Sequence, residues 1–137
     1  MFKKIHIFRV KPGQELAGEI AVYCRQKGVT SAVVIGIIGS VTSLKLNFLK
    51  TLPGKYETVE FKGPLEIVSG QGSVALKDSE LIVHVHLQVS SQTECRGGHL
   101  VEARIFSTAE VVIGELDYPL NRYTDEYTGL NELKEPG

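Results

Sequence analysis

ELIVHVHLQVS, residues 80–90, alternates almost without fault. Leu81, Val83, Val85, Leu87 and Val89 fall on one side, and Glu80, His84, His86, Gln88 and Ser90 on the other, with Ile82 the apolar intruder. A period of two marks a strand with one buried and one wet face. His84 and His86 then share the polar face with Cα atoms about 6.6–6.8 Å apart, a spacing from which two imidazoles can meet one ion. The chain continues as SQTECRGGHL (91–100), which carries His99 after Gly97-Gly98.

A loop over 91–98, eased by the glycine pair, returns the chain toward the two histidines. A simple hairpin centred near 94–95 sets His84 opposite Ile105 and His86 opposite about Ala103. His99 is then four positions, or ~13 Å, from the pair, and convergence needs a loop that folds back, another strand arrangement or a second subunit. Spacing leaves a three-histidine metal site and a wet histidine pair both open. Cys95, beside Arg96, reads as an exposed loop thiol, and Glu102 with Arg104 as a surface ion pair. Glu94, Glu102 and Glu110 show no spacing that identifies an acid/base pair.

Outward from this segment, most of the chain also reads as strand. KKIHIFRV (3–10) alternates, with Ile5 and Ile7 expected inside and His6 outside. Pro12-Gly13 ends it. From Gln14 to Lys27, Leu16, Ala17, Ile20, Ala21 and Cys24 recur at three and four residues, which predicts a helix with Cys24 packed in the core. Glu15 and Glu19 near its start and Arg25 and Lys27 near its end suit the helix dipole, and Gly28 suits the C-terminal cap. SAVVIGIIGSV (31–41) is a buried strand in which Gly36 and Gly39 mark bulges or close backbone approach. Leu44, Leu46 and Phe48 continue the alternation, and Leu52-Pro53-Gly54-Lys55 predicts a type II turn. GPLEIVSGQGSVALKDSEL (63–81) reads as two short strands bent at 69–72, with a turn at 77–80. One helix among seven or eight strands gives an α+β fold with a largely antiparallel, barrel-like sheet.

The 137 residues, 42% hydrophobic and 23% charged, suit one globular domain over 1–137. Residues 119–137 form a polar, acidic tail that lies over the surface or contacts a neighbouring subunit, fraying at Pro136-Gly137. No apolar run is long enough for a membrane span or a signal sequence, and the two cysteines, Cys24 and Cys95, have no CxxC spacing; the expected compartment is cytoplasmic. Formal net charge is −1. It divides into +6 over residues 1–50 (eight Lys/Arg, two Glu) and −7 over 51–137 (seven Lys/Arg, fourteen Asp/Glu). No basic run exceeds Lys3-Lys4, so charge gives no support to a nucleic-acid surface.

The succession RVKPGQELAGEIAVYCRQKGVTSAVVIGIIGSV, GPLEIVSGQGSV, HVHLQVS and GGHLVEARIFSTAEVVI resembles the plants-and-prokaryotes-conserved (PPC) domain, in its stand-alone prokaryotic form. The ending NRYTDEYTGLNEL is similar too, with Arg122, Asp125 and Gly129 at characteristic places. The resemblance implies an α+β homotrimer packed through its sheets, with a fold similar to acetolactate decarboxylase, where a His-x-His strand and a later histidine hold zinc. Carried over, His84, His86 and His99 become zinc-ligand candidates in a protein that binds or transforms a small polar molecule. The alternative is a DNA-associated or protein-assembly module without a metal. In plants the domain accompanies Arg-Gly-Arg-Pro hooks that contact DNA, and this sequence has none.

Overall fold

The computed structural model describes residues 1–135. Pro136 and Gly137, expected to fray, lie outside the described residues. The elements are β1 (Phe2–Val10), α1 (Leu16–Lys27), β2 (Ala32–Thr51), β3 (Lys55–Lys77), β4 (Glu80–Ser90), β5 (Cys95–Leu116), β6 (Arg122–Thr124) and β7 (Asn131–Leu133). Every pairing among the named strands is antiparallel. The main sheet runs β1-β5-β2-β3-β4, and β4 also pairs with β5. β2, β3, β4 and β5 therefore close a ring, with β1 beside the far half of β5, which is the barrel-like arrangement expected.

Closure depends on the length of β5. One edge of it pairs with β2 from His99 to Glu115, and the other pairs with β4 over the first residues and with β1 over the last third. Bulges bend the long strands around the ring, with register shifts at Val34/Gly36, Gly39/Val41 and Val41/Ser43. At Gly39, φ is 151° and a Cβ would stand 2.0 Å from the Thr108 carbonyl oxygen, so the backbones approach where no side chain fits. The segment 63–81 is not two short strands: β3 runs unbroken to Lys77, and the expected bend is reduced to a register shift between Ile67 and Ser69.

α1 begins two residues later than the periodicity suggests because Glu15 caps it. The Glu15 carboxylate accepts from the backbone N–H of Ala17 and Gly18, and also from that of Ala103 on β5. This satisfies orphan helix donors and ties the helix start to the sheet. Gly28, at φ 69°, ends the helix in the left-handed conformation. Leu16, Ile20 and Cys24 enter a core shared with Val10, Val34, Val85, Leu87 and Ile113.

β1 is turned over relative to expectation. His6 is buried, whereas Ile5 and Ile7 are 46% and 71% exposed. The alternation was legible but its sense was not, because the face that carries His6 also carries Phe8 and Val10. Phe8 stacks on Tyr23 of α1 at 3.9 Å. His6 is accommodated beneath the helix by the Tyr23 hydroxyl and the Glu115 carboxylate, each at 3.0 Å, so burial leaves neither ring nitrogen unpaired.

Candidate metal centre

β4 turns into β5 far more tightly than the sequence suggests. Ser91 N–H donates to the Glu94 carbonyl at 2.9 Å, and the Ser91 hydroxyl accepts from the N–H of Thr93 and of Glu94. The loop is only residues 91–94, and Cys95 already stands opposite Ser90 in the ladder. Cys95 and the Gly97-Gly98 pair are strand residues, not loop. The register differs from a hairpin centred at 94–95 and sets His86 directly opposite His99. No folded-back loop is needed. Gly98 is admitted by space: a Cβ there would meet the Phe48 ring at 3.1 Å.

Directly paired residues share a sheet face, and so do residues two apart on a strand. His84, His86 and His99 consequently form a triangle on the face opposite Val85 and Leu87, with ring centroids 5.0 to 5.6 Å apart. One ligand nitrogen from each lies within 4.8 Å of the others. Adjacent ligands of a tetrahedral ion with bonds of 2.0–2.1 Å are ~3.3 Å apart, so the rings would draw inward on loading. Burial pushes His84 down to about 4, helped by His99, Arg122 and His86, and burial also lowers His99, helped by His86. Near neutral pH both rings are therefore unprotonated and have a lone pair to give, as a metal requires. The donor set fits zinc.

The tail forms the wall of the site. β6 and β7 pair with each other, and the chain between them rests on the β2–β3 turn through a bond from Gly54 N–H to the Thr128 carbonyl. That turn has a cis Leu52–Pro53 bond, and Gly54 has φ 41°. Gly129 has no room for a side chain, since a Cβ would meet Pro53 at 2.7 Å. Asp125 organises the loop by accepting from Tyr127 N–H, Thr128 N–H and the Tyr123 hydroxyl. These bonds, led by that from Thr128, hold its carboxyl below the usual range. The result is a cavity of about 550 Å³ bordered by all three histidines, Tyr56, Arg122 and Glu132.

Arg122 is the site residue that residue patterning gave no reason to select, although the family ending contains it. It is 8% exposed. Its guanidinium donates to the Asn131 carbonyl and the Ser73 hydroxyl, each at 2.8 Å, and reaches His84 Nδ1 at 3.5 Å, the outer limit of a hydrogen bond. Its position beside His84 follows from ladder geometry: Ser73 is the β3 residue opposite His84. The expected surface groups remain peripheral. Glu94 pairs with Arg96 and Glu102 with Arg104, while the exposed Cys95 thiol accepts from Gln88. Among the described residues, no helix is long and apolar enough to cross a membrane.

Comparison with known proteins agrees with this architecture. A protein of Archaeoglobus fulgidus described as the metal-containing protein AF0104 superposes with a TM-score of 0.90 at 30% identity, over 98% of this chain and 96% of that one. A plant- and prokaryote-conserved protein of Pyrococcus horikoshii superposes with the same score at 28% identity, over 100% and 95% of the two chains. Acetolactate decarboxylase of Bacillus subtilis subspecies spizizenii shares the fold more distantly, with a TM-score of 0.57 at 11% identity over 88% of this chain and 55% of that one. The bifunctional protein GlmU of Synechococcus sp. (strain JA-3-3Ab) is 32% identical over 133 residues, 95% of this chain. The chain spans only 20% of that relative's length. Residues 1–117 match the Plants and Prokaryotes Conserved (PCC) domain, and the chain belongs to that family.

Proposed function

We propose that this chain is a cytosolic metal-binding protein, with His84, His86 and His99 as the ligands of one zinc ion, that binds or transforms a small polar molecule in the adjoining cavity. The observation that carries the reading is the meeting of the three rings across the β4–β5 seam, with ligand nitrogens within 4.8 Å of one another. The Archaeoglobus relative, a metal-containing protein, supports it. Held by these three histidines, a zinc ion would supply polarisation of a carbonyl or activation of a water. The part of His84 and His99 is to present neutral nitrogens, and the tail's part is to restrict water at the cavity wall. The unpaired Cys24 and Cys95 suit a reducing compartment.

The reading includes assembly through the sheet into a homotrimer. Ile7 and Ile38 are 71% and 55% exposed on the ring's outer surface, with Val68 and Phe106 each 49% exposed; further copies would cover this apolar surface.

The test is metal content per subunit by elemental mass spectrometry after equilibration with zinc and desalting. Wild type is expected to retain one zinc per subunit, and the His84→Ala/His86→Ala variant to retain none while keeping its far-ultraviolet circular dichroism. Equal retention by both, or none by either, would remove the reading. In the metal-free outcome, titration of labelled duplex DNA at two salt concentrations examines the competing module, whose specific affinity must survive the salt that weakens phosphate contacts.

A further inference from the structure

We infer that the cavity beside the histidines takes a small organic monocarboxylate, with the carboxylate paired to Arg122 and a short apolar body against Leu49, Ile82 and Leu130. This deepens the reading above and rests on it in taking a metal as the cavity's second cation.

Arg122 carries a charge that the fold has buried without neutralising. An arginine does not give up its proton in a protein, and a buried charge is costly unless it is paired. Among the described residues no carboxylate stands within ion-pair distance of Arg122, whereas Arg96 and Arg104 each have one. Its fixed partners, Asn131 and Ser73, are neutral. A guanidinium has five N–H donors. One goes to Asn131 and those of Nη2 to Ser73 and the edge of His84, while Nε has no partner at all. The two firm bonds fix the plane of the group at the cavity wall and leave it without an anion at pairing distance. The missing component is an anion, and a carboxylate matches the flat fork of a guanidinium in shape as well as sign.

The remaining lining narrows the class. Glu132 borders the same cavity and acts on Arg122 by Coulomb attraction from beyond pairing distance. A second negative charge on the ligand would face that carboxylate, which disfavours phosphate or a dicarboxylate. Leu49, Ile82 and Leu130 offer apolar surface to the rest of the molecule, and ligand cavities commonly combine such walls with a few placed polar groups. Arg122 acts here as a binding and positioning residue.

The probes are butanoate, its neutral isostere butanamide, and inorganic phosphate, titrated calorimetrically into zinc-equilibrated wild-type protein and the Arg122→Gln variant, with zinc content measured on the same samples. Butanoate should bind wild type ~10-fold or more tightly than it binds the variant, as for a lost charge-assisted hydrogen-bond pair. Butanamide should not distinguish the two proteins. Should Arg122→Gln fail to fold, Arg122→Lys retains the charge without the fork and should weaken butanoate binding; the preference of wild type for butanoate over butanamide is in any case read without a variant. Equal butanoate binding by wild type and variant, or no preference for butanoate over butanamide, overturns the inference. Phosphate that binds more tightly than butanoate through Arg122 overturns the monocarboxylate assignment. Zinc-loaded protein indifferent to butanoate defeats this inference alone, and zinc-free protein that binds butanoate through Arg122 defeats the metal reading alone.

Discussion

Gly39 and Glu115 show how single residues hold this ring together. Replacing Gly39 with alanine drives a methyl group into the Thr108 carbonyl, 2.0 Å away, at a φ of 151° that side chains rarely adopt. The expected loss is about 1–3 kcal/mol or more of stability, read as a lower denaturant midpoint. Glu115 makes a pH prediction. Its hydrogen bond to His6, aided by Lys3, holds its carboxyl below the ordinary 4.5. Folded protein therefore binds fewer protons than unfolded protein in the window below 4.5, and stability rises with pH there. The Glu115 contribution is complete above 4.5 and disappears as pH falls through the folded value. The stability gap between wild type and Glu115→Gln, followed by urea unfolding from pH 6 downward, should narrow below about pH 4.5; a constant gap contradicts it. At the same scale, the face shared by His84 and His86 was legible because period two needs no tertiary information. The part of Arg122 was not legible, since it depends on where an acidic tail lands.

At the scale of elements, α1 was readable almost to its ends, from apolar spacing and from the glycine that stops it. The role of Glu15 was only half visible. A glutamate near a helix start suits the dipole, but its bond to Ala103 N–H belongs to the packing of helix on sheet. Glu15→Ala should cost about 0.5–2 kcal/mol for the cap, with a further loss because a β5 donor is left unpaired. The check is a thermal melt against Glu19→Ala, which should cost less. The β4–β5 hairpin was misread by a few residues with large consequence. Ser91, through its hydroxyl bonds to two following N–H groups, makes a four-residue loop where eight were expected, and the shorter loop puts His99 opposite His86. Register follows from turn chemistry, and a serine whose backbone and side chain both close the turn gives only a weak signal in sequence. β1 teaches the converse: its alternation was plain, but the buried face was chosen by Tyr23 above it.

The whole molecule has two surfaces of consequence. One is the histidine face roofed by the tail; the other is the apolar outer wall with Ile7 and Ile38. If further copies cover that wall, Ile7→Asp/Ile38→Asp should shift the mass measured by analytical ultracentrifugation from trimer toward monomer, because a charge buried in such a contact is not tolerated. A wild-type monomer at micromolar concentration would contradict the assembly. Ring closure by β4 and β5 ties the chemistry to the fold, since the pairing that completes the ring is the one that joins His86 to His99. The most direct measurement is therefore anomalous X-ray scattering at the zinc edge from crystals of zinc-equilibrated wild-type protein. The account predicts one peak per subunit enclosed by His84, His86 and His99; a peak elsewhere, or none at that triangle, would contradict it.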